Sequence, residues 1–99
     1  MLNSKARSAL SSLASKLEPS VALGKGGPSE AVLGHLALEL DRHELVKLRF
    51  TDFKEGRRDI ARELAEKAGA ELVRIVGNVA ILYRRNPDPE KRKIDIETA

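Results

Sequence analysis

The sequence predicts an α/β fold: a single compact domain with elements in the order α-β-α-β-α-β-β, a four-stranded mixed sheet and helices packed on it. Three observations predict it. Segments of helical periodicity alternate with short apolar or alternating runs. Two successive strand–helix–strand crossovers favour strands running the same way. The chain then closes on two β-rich runs joined by Gly77-Asn78, a two-residue hairpin turn. A length of 99 residues suits one modest core and not two.

Each element has its own signal. Residues 4–17 place Ala6, Ala9, Leu10, Leu13, Ala14 and Leu17 at helical spacing behind a cap at Asn3 or Ser4. Pro19 stops this helix, because the residue before a proline is driven out of helical backbone. Residues 20–23 read as a short strand, followed by the turn Gly24-Lys25-Gly26-Gly27. The second helix covers 29–42, with Ser29 as cap, Glu30 suited to the helix dipole, and Val32, Leu33, Leu36, Ala37 and Leu40 on one side. Gly34 inside it costs about 1 kcal/mol relative to alanine, which implies close packing against a neighbour. Residues 44–50 alternate, Val46, Leu48 and Phe50 facing one way and Lys47 and Arg49 the other. A third helix over 54–68 turns Ile60, Ala61, Leu64 and Ala68 inward and ends at Gly69. Residues 71–76 are apolar at nearly every position, the pattern of an interior strand, and 79–84 return antiparallel. Residues 86–99, with two prolines and many charges, read as an extended or mobile tail.

Composition narrows the function. No apolar run approaches the roughly 20 residues of a membrane span. The chain has no cysteine, which excludes disulfides and thiolate metal sites. The amino-terminal stretch reads as an ordinary first helix and not as a targeting peptide, so a cytoplasmic location is expected. The formal net charge of +3 is unevenly spread. Lys5, Arg7, Lys16 and Lys25 face only Glu18 at one end of the chain, and Arg84, Arg85, Lys91, Arg92 and Lys93 face Asp88 and Glu90 near the other. Localised positive charge favours a polyanionic partner.

The glycine turn is the most informative motif. It is not a P-loop, because Lys25 is followed by Gly26 in place of Ser or Thr and the first glycine is missing. It is not a dinucleotide fingerprint, because Ser29 stands where the third glycine belongs. What remains is G-x-x-G ahead of a helix. Glycines let a sugar–phosphate chain approach the backbone, the helix terminus offers N–H groups, and Lys25 adds a mobile cation. KH domains clamp nucleotides by the same logic; the plain alternative is a tight turn.

Other candidates are weaker. Lys54, Arg58 and Arg62 recur at every fourth position beside Arg57, but Glu55, Asp59, Glu63 and Glu66 are interleaved. Pairing of Arg62 with Asp59 and Glu66 would make this a self-paired, solvated face. Lys47 and Arg49 converge with Arg84 and Arg85 only if the strand order allows it. The three aromatics are Phe50, Phe53 and Tyr83; Phe50 belongs to the inward set, so base stacking is a weak expectation, and structured RNA is favoured over an isolated single strand. His35 and His43 make no metal motif, and no nucleophile stands at a recognisable spacing from a base. The chain reads as a non-enzyme without cofactor.

The phrase LGKGGPSEAVLGHLALELDRHELVKL followed by GAELVRIVGNVAILYRR closely resembles the CRM domain (chloroplast RNA splicing and ribosome maturation) in its stand-alone bacterial YhbY-like form. The resemblance spans residues 3–96 and is carried by three features: the glycine turn, the phrase His43-Glu44-Leu45-Val46-Lys47, and the final hairpin through Leu82-Tyr83-Arg84. It implies an RNA-binding fold similar to the C-terminal domain of translation initiation factor 3. It also implies a G-x-x-G loop with adjacent basic surface as the RNA contact, and a role on precursors of the large ribosomal subunit; plant relatives act in group II intron splicing. The loop role falls on Gly24, Lys25, Gly26 and Gly27, while His43, Glu44 and Tyr83 are assigned to packing. Pro28 departs from the aliphatic residue expected there and removes one N–H.

The resulting expectation is a ribosome-assembly factor binding ribosomal RNA. The loop and Lys25 would hold phosphates, Lys5, Arg7, Arg84 and Arg85 would attract at longer range, and Arg58 and Arg62 would add contacts. A monomer without membrane or small-molecule partner is expected. The alternative is a protein-interaction module docking on a ribosomal protein or another assembly factor.

Overall fold

The computed structural model describes residues 2–94. Its elements are α1 (Ser4–Ala14), β1 (Val21–Leu23), α2 (Glu30–His43), β2 (Leu45–Phe50), α3 (Arg57–Lys67), β3 (Glu71–Val76) and β4 (Val79–Tyr83), followed by a 3₁₀ turn at Pro89–Lys91. The caps follow the sequence. Asn3 Oδ1 accepts from Ala6 N at 2.8 Å, and Ser29 Oγ accepts from Val32 N at 3.3 Å, each satisfying an amide that the helix itself cannot. Pro28 precedes the Ser29 cap and so lies outside α2. At the end of α3, Gly69 adopts φ 66 while Ala70 N donates to Ala65 O and Gly69 N to Glu66 O, a Schellman closure.

The sheet order is β1-β2-β4-β3, with β1 parallel to β2 and β4 antiparallel to both its neighbours. The mixed sheet is as expected, but β3 is an edge strand and not an interior one. Its apolar run has a different cause. Leu72 and Ile75 pack against the cluster on the α2/α3 side, Val73 belongs to the cluster on the α1 side, and a register shift between Leu72 and Arg74 separates them. An edge strand covered on both faces carries the same hydropathy as a central one.

Two clusters fill the two faces. Leu36 and Leu40 of α2 and Leu64 of α3 meet Val46, Leu48, Phe50 and Leu82 on one side; Leu10 and Ala14 of α1 meet Leu45, Ile81 and Tyr83 on the other. Each fully buried leucine contributes about 1.5–3 kcal/mol. Two local expectations change. The third helix starts at Arg57 and not at 54, because Phe53 turns the chain at φ 56 and Gly56 caps the helix. Gly34 has no close neighbour: a β-carbon there would meet nothing within 4 Å.

Several charged side chains act as fasteners. Arg84 donates to Ala68 O at 2.8 Å, Ala37 O at 2.9 Å and Asp41 Oδ1 at 2.6 Å, tying the two helices to the end of β4. Arg7 donates to Leu72 O and Val73 O at 2.7 and 2.8 Å, holding α1 to the irregular part of β3. Lys47 donates to Ala14 O and Leu17 O, at the C-terminal end of α1. Glu44 is 1% exposed and holds φ 64, ψ −41. Its carboxylate accepts from Lys93 N at 2.6 Å, Asn86 N at 2.8 Å and Ile94 N at 3.1 Å. Residues 86–94, read from sequence as part of an extended or mobile tail, are thus bound back onto the start of β2; 95–99 lie outside the described residues. Beside this clasp, burial first and the Glu44 charge second push the Tyr83 phenol above its ordinary value of 10.0, against the opposing pull of Arg85 and Arg92.

Candidate nucleic-acid interface

The glycine turn lies where β1 ends, and its neighbours are fixed by strand direction. Because β1 and β2 are parallel, their carboxyl ends meet: Leu23 pairs with Phe50, and Thr51 N and Oγ1 both donate to Leu23 O, at 2.9 and 3.2 Å. The β3–β4 turn reaches the same end, where Phe50 N donates to Asn78 O at 2.7 Å. The carboxyl end of parallel strands is where α/β sheets bind ligands. Three loops therefore share one rim: 24–28, 51–56 and the Gly77-Asn78 turn. Arg57 clips two of them together, donating from Nε to Gly77 O and from Nη1 to Lys54 O.

Within the turn, Gly27 N donates to Gly24 O at 2.9 Å, and Gly27 holds φ 69, a conformation glycine adopts without penalty. A β-carbon on Gly27 would lie 3.3 Å from Phe53 Cζ, and one on Gly24 would lie 3.4 Å from Thr51 Oγ1. The two outer glycines thus let the turn nest against the 51–56 loop. The tip residues Lys25 and Gly26 are exposed, and neither their amides nor the Lys25 ammonium has an acceptor among the described residues. Behind them stands the amino terminus of α2, whose partial positive charge favours an anion.

The charges of the rim are mixed. Lys25 and Lys54 are exposed, as is Arg49, one residue before the end of β2; Glu30, Asp52 and Glu55 stand among them. Unpaired amides and individual cations, and not a strong net field, are what this rim offers. Phe53 stands among them on the surface, at a φ that costs an aromatic residue about 1–2 kcal/mol.

The other sequence candidates are distributed elsewhere. Arg58 and Arg62 are exposed on α3 and line a groove of about 470 Å³ along β3, with Arg7, Arg74, Glu66 and Glu71. Arg62 does not form the expected pairs with Asp59 and Glu66; among the described residues an ion pair within α3 instead joins Lys67 to Glu63 at 3.1 Å. This groove is about 14 Å across the sheet from β1, three strand spacings. Lys5 and Arg7 are on α1, on the opposite face of the sheet from α2. Arg84 is committed to its two helices, and Arg85 is exposed just beyond the far end of β4, six residues from Val79 and so about 20 Å from the rim. Lys47 and Arg49 therefore do not converge with Arg84 and Arg85. Sequence reasoning missed Phe53 and the loop position of Lys54. Gly56, which ends the helical pattern early, was the available signal.

Among the described residues no group of three or more His, Asp or Glu side chains could hold a metal ion, and no helix is long and apolar enough to cross a membrane. Residues 2–84 match the CRS1 / YhbY (CRM) domain. The chain is 33% identical over 86 residues to the Pseudomonas aeruginosa protein named "Probable RNA-binding protein PA4753", covering 86% of this chain and 83% of that one. It is 30% identical over 97 residues to "Probable RNA-binding protein YqeI" of Bacillus subtilis, covering 97% and 99%. The solution structure of the hypothetical protein SAV1595 of Staphylococcus aureus superposes with a TM-score of 0.79 at 28% identity, covering 96% of this chain and all of that one.

Proposed function

This chain belongs to the CRS1/YhbY (CRM) domain family, and from that premise we propose that it binds RNA through the 24–27 turn. Its place is on ribosomal RNA, in precursors of the large ribosomal subunit, as an assembly or maturation factor. The observation that carries this reading is the turn itself: two exposed amides and an ammonium without protein partners, in front of a helix terminus. The RNA-binding names of its relatives support it; the large-subunit role rests on the family resemblance. In this reading the protein is a cytoplasmic binder, not an enzyme, and takes no cofactor. Lys25, Lys54 and Arg49 supply about three phosphate contacts, and the exposed Arg58, Arg62, Lys5 and Arg85 add longer-range attraction.

The test is a titration of wild-type protein and Lys25→Glu with large-subunit ribosomal RNA fragments at several salt concentrations. Three contacts give a log–log salt slope of about −2, and Lys25→Glu weakens binding by about 1 kcal/mol or more. Equal binding by both proteins would reduce the loop to a turn. Binding to precursor particles but not to free RNA would move the reading to a protein-docking module, for which the exposed Leu13 and Leu17 are the natural surface.

A further inference from the structure

The fold leaves one of the three aromatic rings on the surface. Phe50 and Tyr83 are 1% and 2% exposed, whereas Phe53 is 43% exposed. It stands on the rim beside the glycine turn, close enough that a β-carbon on Gly27 would touch the outer end of its ring. Two features fix it there: a backbone φ of 56, which bulky residues rarely adopt, and an Asp52 Oδ1 that accepts from Phe53 N at 2.7 Å. The hydrophobic clusters do not include this ring, so core packing does not account for its position. Lys25 and Lys54, both exposed and without side-chain partners among the described residues, belong to the same two loops.

A ring beside a phosphate-binding turn is the arrangement that single-strand binders use: the backbone lies in the turn and a base lies on the ring. Bases inside a continuous helix have no face to offer. Resting on the RNA-backbone reading above, we infer that Phe53 is a stacking platform for an unpaired nucleobase. The RNA at the rim is then a loop, bulge or end. This reverses the preference for structured RNA that the aromatic-poor composition suggests.

The chain contains no tryptophan, so Phe53→Trp introduces a single indole reporter, excited selectively at wavelengths where Tyr83 does not absorb. The probes are a mixed-sequence single-stranded RNA, the duplex of the same sequence, and the same strand carrying abasic sites. The single strand quenches the Trp emission; the duplex and the abasic strand do not. Phe53→Ala weakens binding of the intact strand by about 5- to 100-fold and leaves the abasic strand and the salt slope at wild-type values. Equal weakening for intact and abasic strands would overturn the inference, because the ring would then only prop the turn. An unchanged Phe53→Ala beside a weakened Lys25→Glu would also overturn it, and leave the backbone clamp standing. If wild type binds neither strand in a salt-dependent way, the clamp itself fails and the inference fails with it.

Discussion

Replacing Glu44 tests whether the carboxyl-terminal segment is part of the fold. The buried carboxylate accepts three backbone amides, from Asn86, Lys93 and Ile94. Hydrogen bonds to a charged group contribute about 1.5–3 kcal/mol each, so losing all three in place would cost about 5–9 kcal/mol. The segment can instead lift away and give its amides to water. The loss is then capped by what the docked segment contributes: burial of Ile94, about 1–2 kcal/mol, and one or two net hydrogen bonds of about 1 kcal/mol each. Glu44→Ala therefore costs about 3 kcal/mol, a large share of the 5–15 kcal/mol typical of a domain. Glu44→Gly is the more stable of the two by about 1 kcal/mol, because φ 64 with ψ −41 strains any residue with a β-carbon. Urea unfolding gives the stabilities, and amide exchange at Asn86, Lys93 and Ile94 reports the detachment. An unchanged midpoint for Glu44→Ala, or a lowered one with those three amides still protected, would refute the reasoning.

Arg84→Lys keeps the charge but cannot span Ala37 O, Ala68 O and Asp41 together; it lowers stability by about 2–3 kcal/mol in the same urea assay and leaves the salt slope of RNA binding unchanged. Gly34→Ala, in an exposed helical position with open space around it, raises stability by about 0.5–1 kcal/mol, seen as a thermal midpoint several degrees higher. The Tyr83 pKa is raised in the folded state, so its contribution is complete below the unfolded value near 10.0 and is lost as pH rises through the folded value. Stability measured across that alkaline range falls for wild type and falls less for Tyr83→Phe, whose neutral-pH stability stays within about 0.5 kcal/mol of wild type or exceeds it, since the phenol oxygen has no protein partner among the described residues.

The elements and their order were legible because periodicity reports which faces are covered. Strand order was not. Leu72, Val73 and Ile75 record burial on both faces of β3, and nothing in their pattern says that one edge is open. Charge was read less well than hydropathy. Arg84 at the end of a strand has the look of a ligand contact, yet its acceptors lie on backbone 16 and 47 residues away, a distance at which sequence gives no signal. Glu44 gives up its exposure to residues some 42 to 50 positions later for the same reason. The glycine turn could be found because its chemistry is local. Phe53 could not, because its significance depends on Gly27, and only the pairing of Leu23 with Phe50 brings those loops together.

The inner position of β4 bears on how the chain is made. Synthesis proceeds from the amino terminus, yet the strand that joins β2 to β3 is the last to be built. Until residue 83 has left the ribosome, β2 has only the three-residue β1 beside it and β3 has no partner at all. Arg84 and the residues that satisfy Glu44 arrive later still. On a nascent chain of this protein the edges of β2 and β3 that β4 will pair, and the Glu44 carboxylate, therefore stay unmet until residues 79–94 emerge.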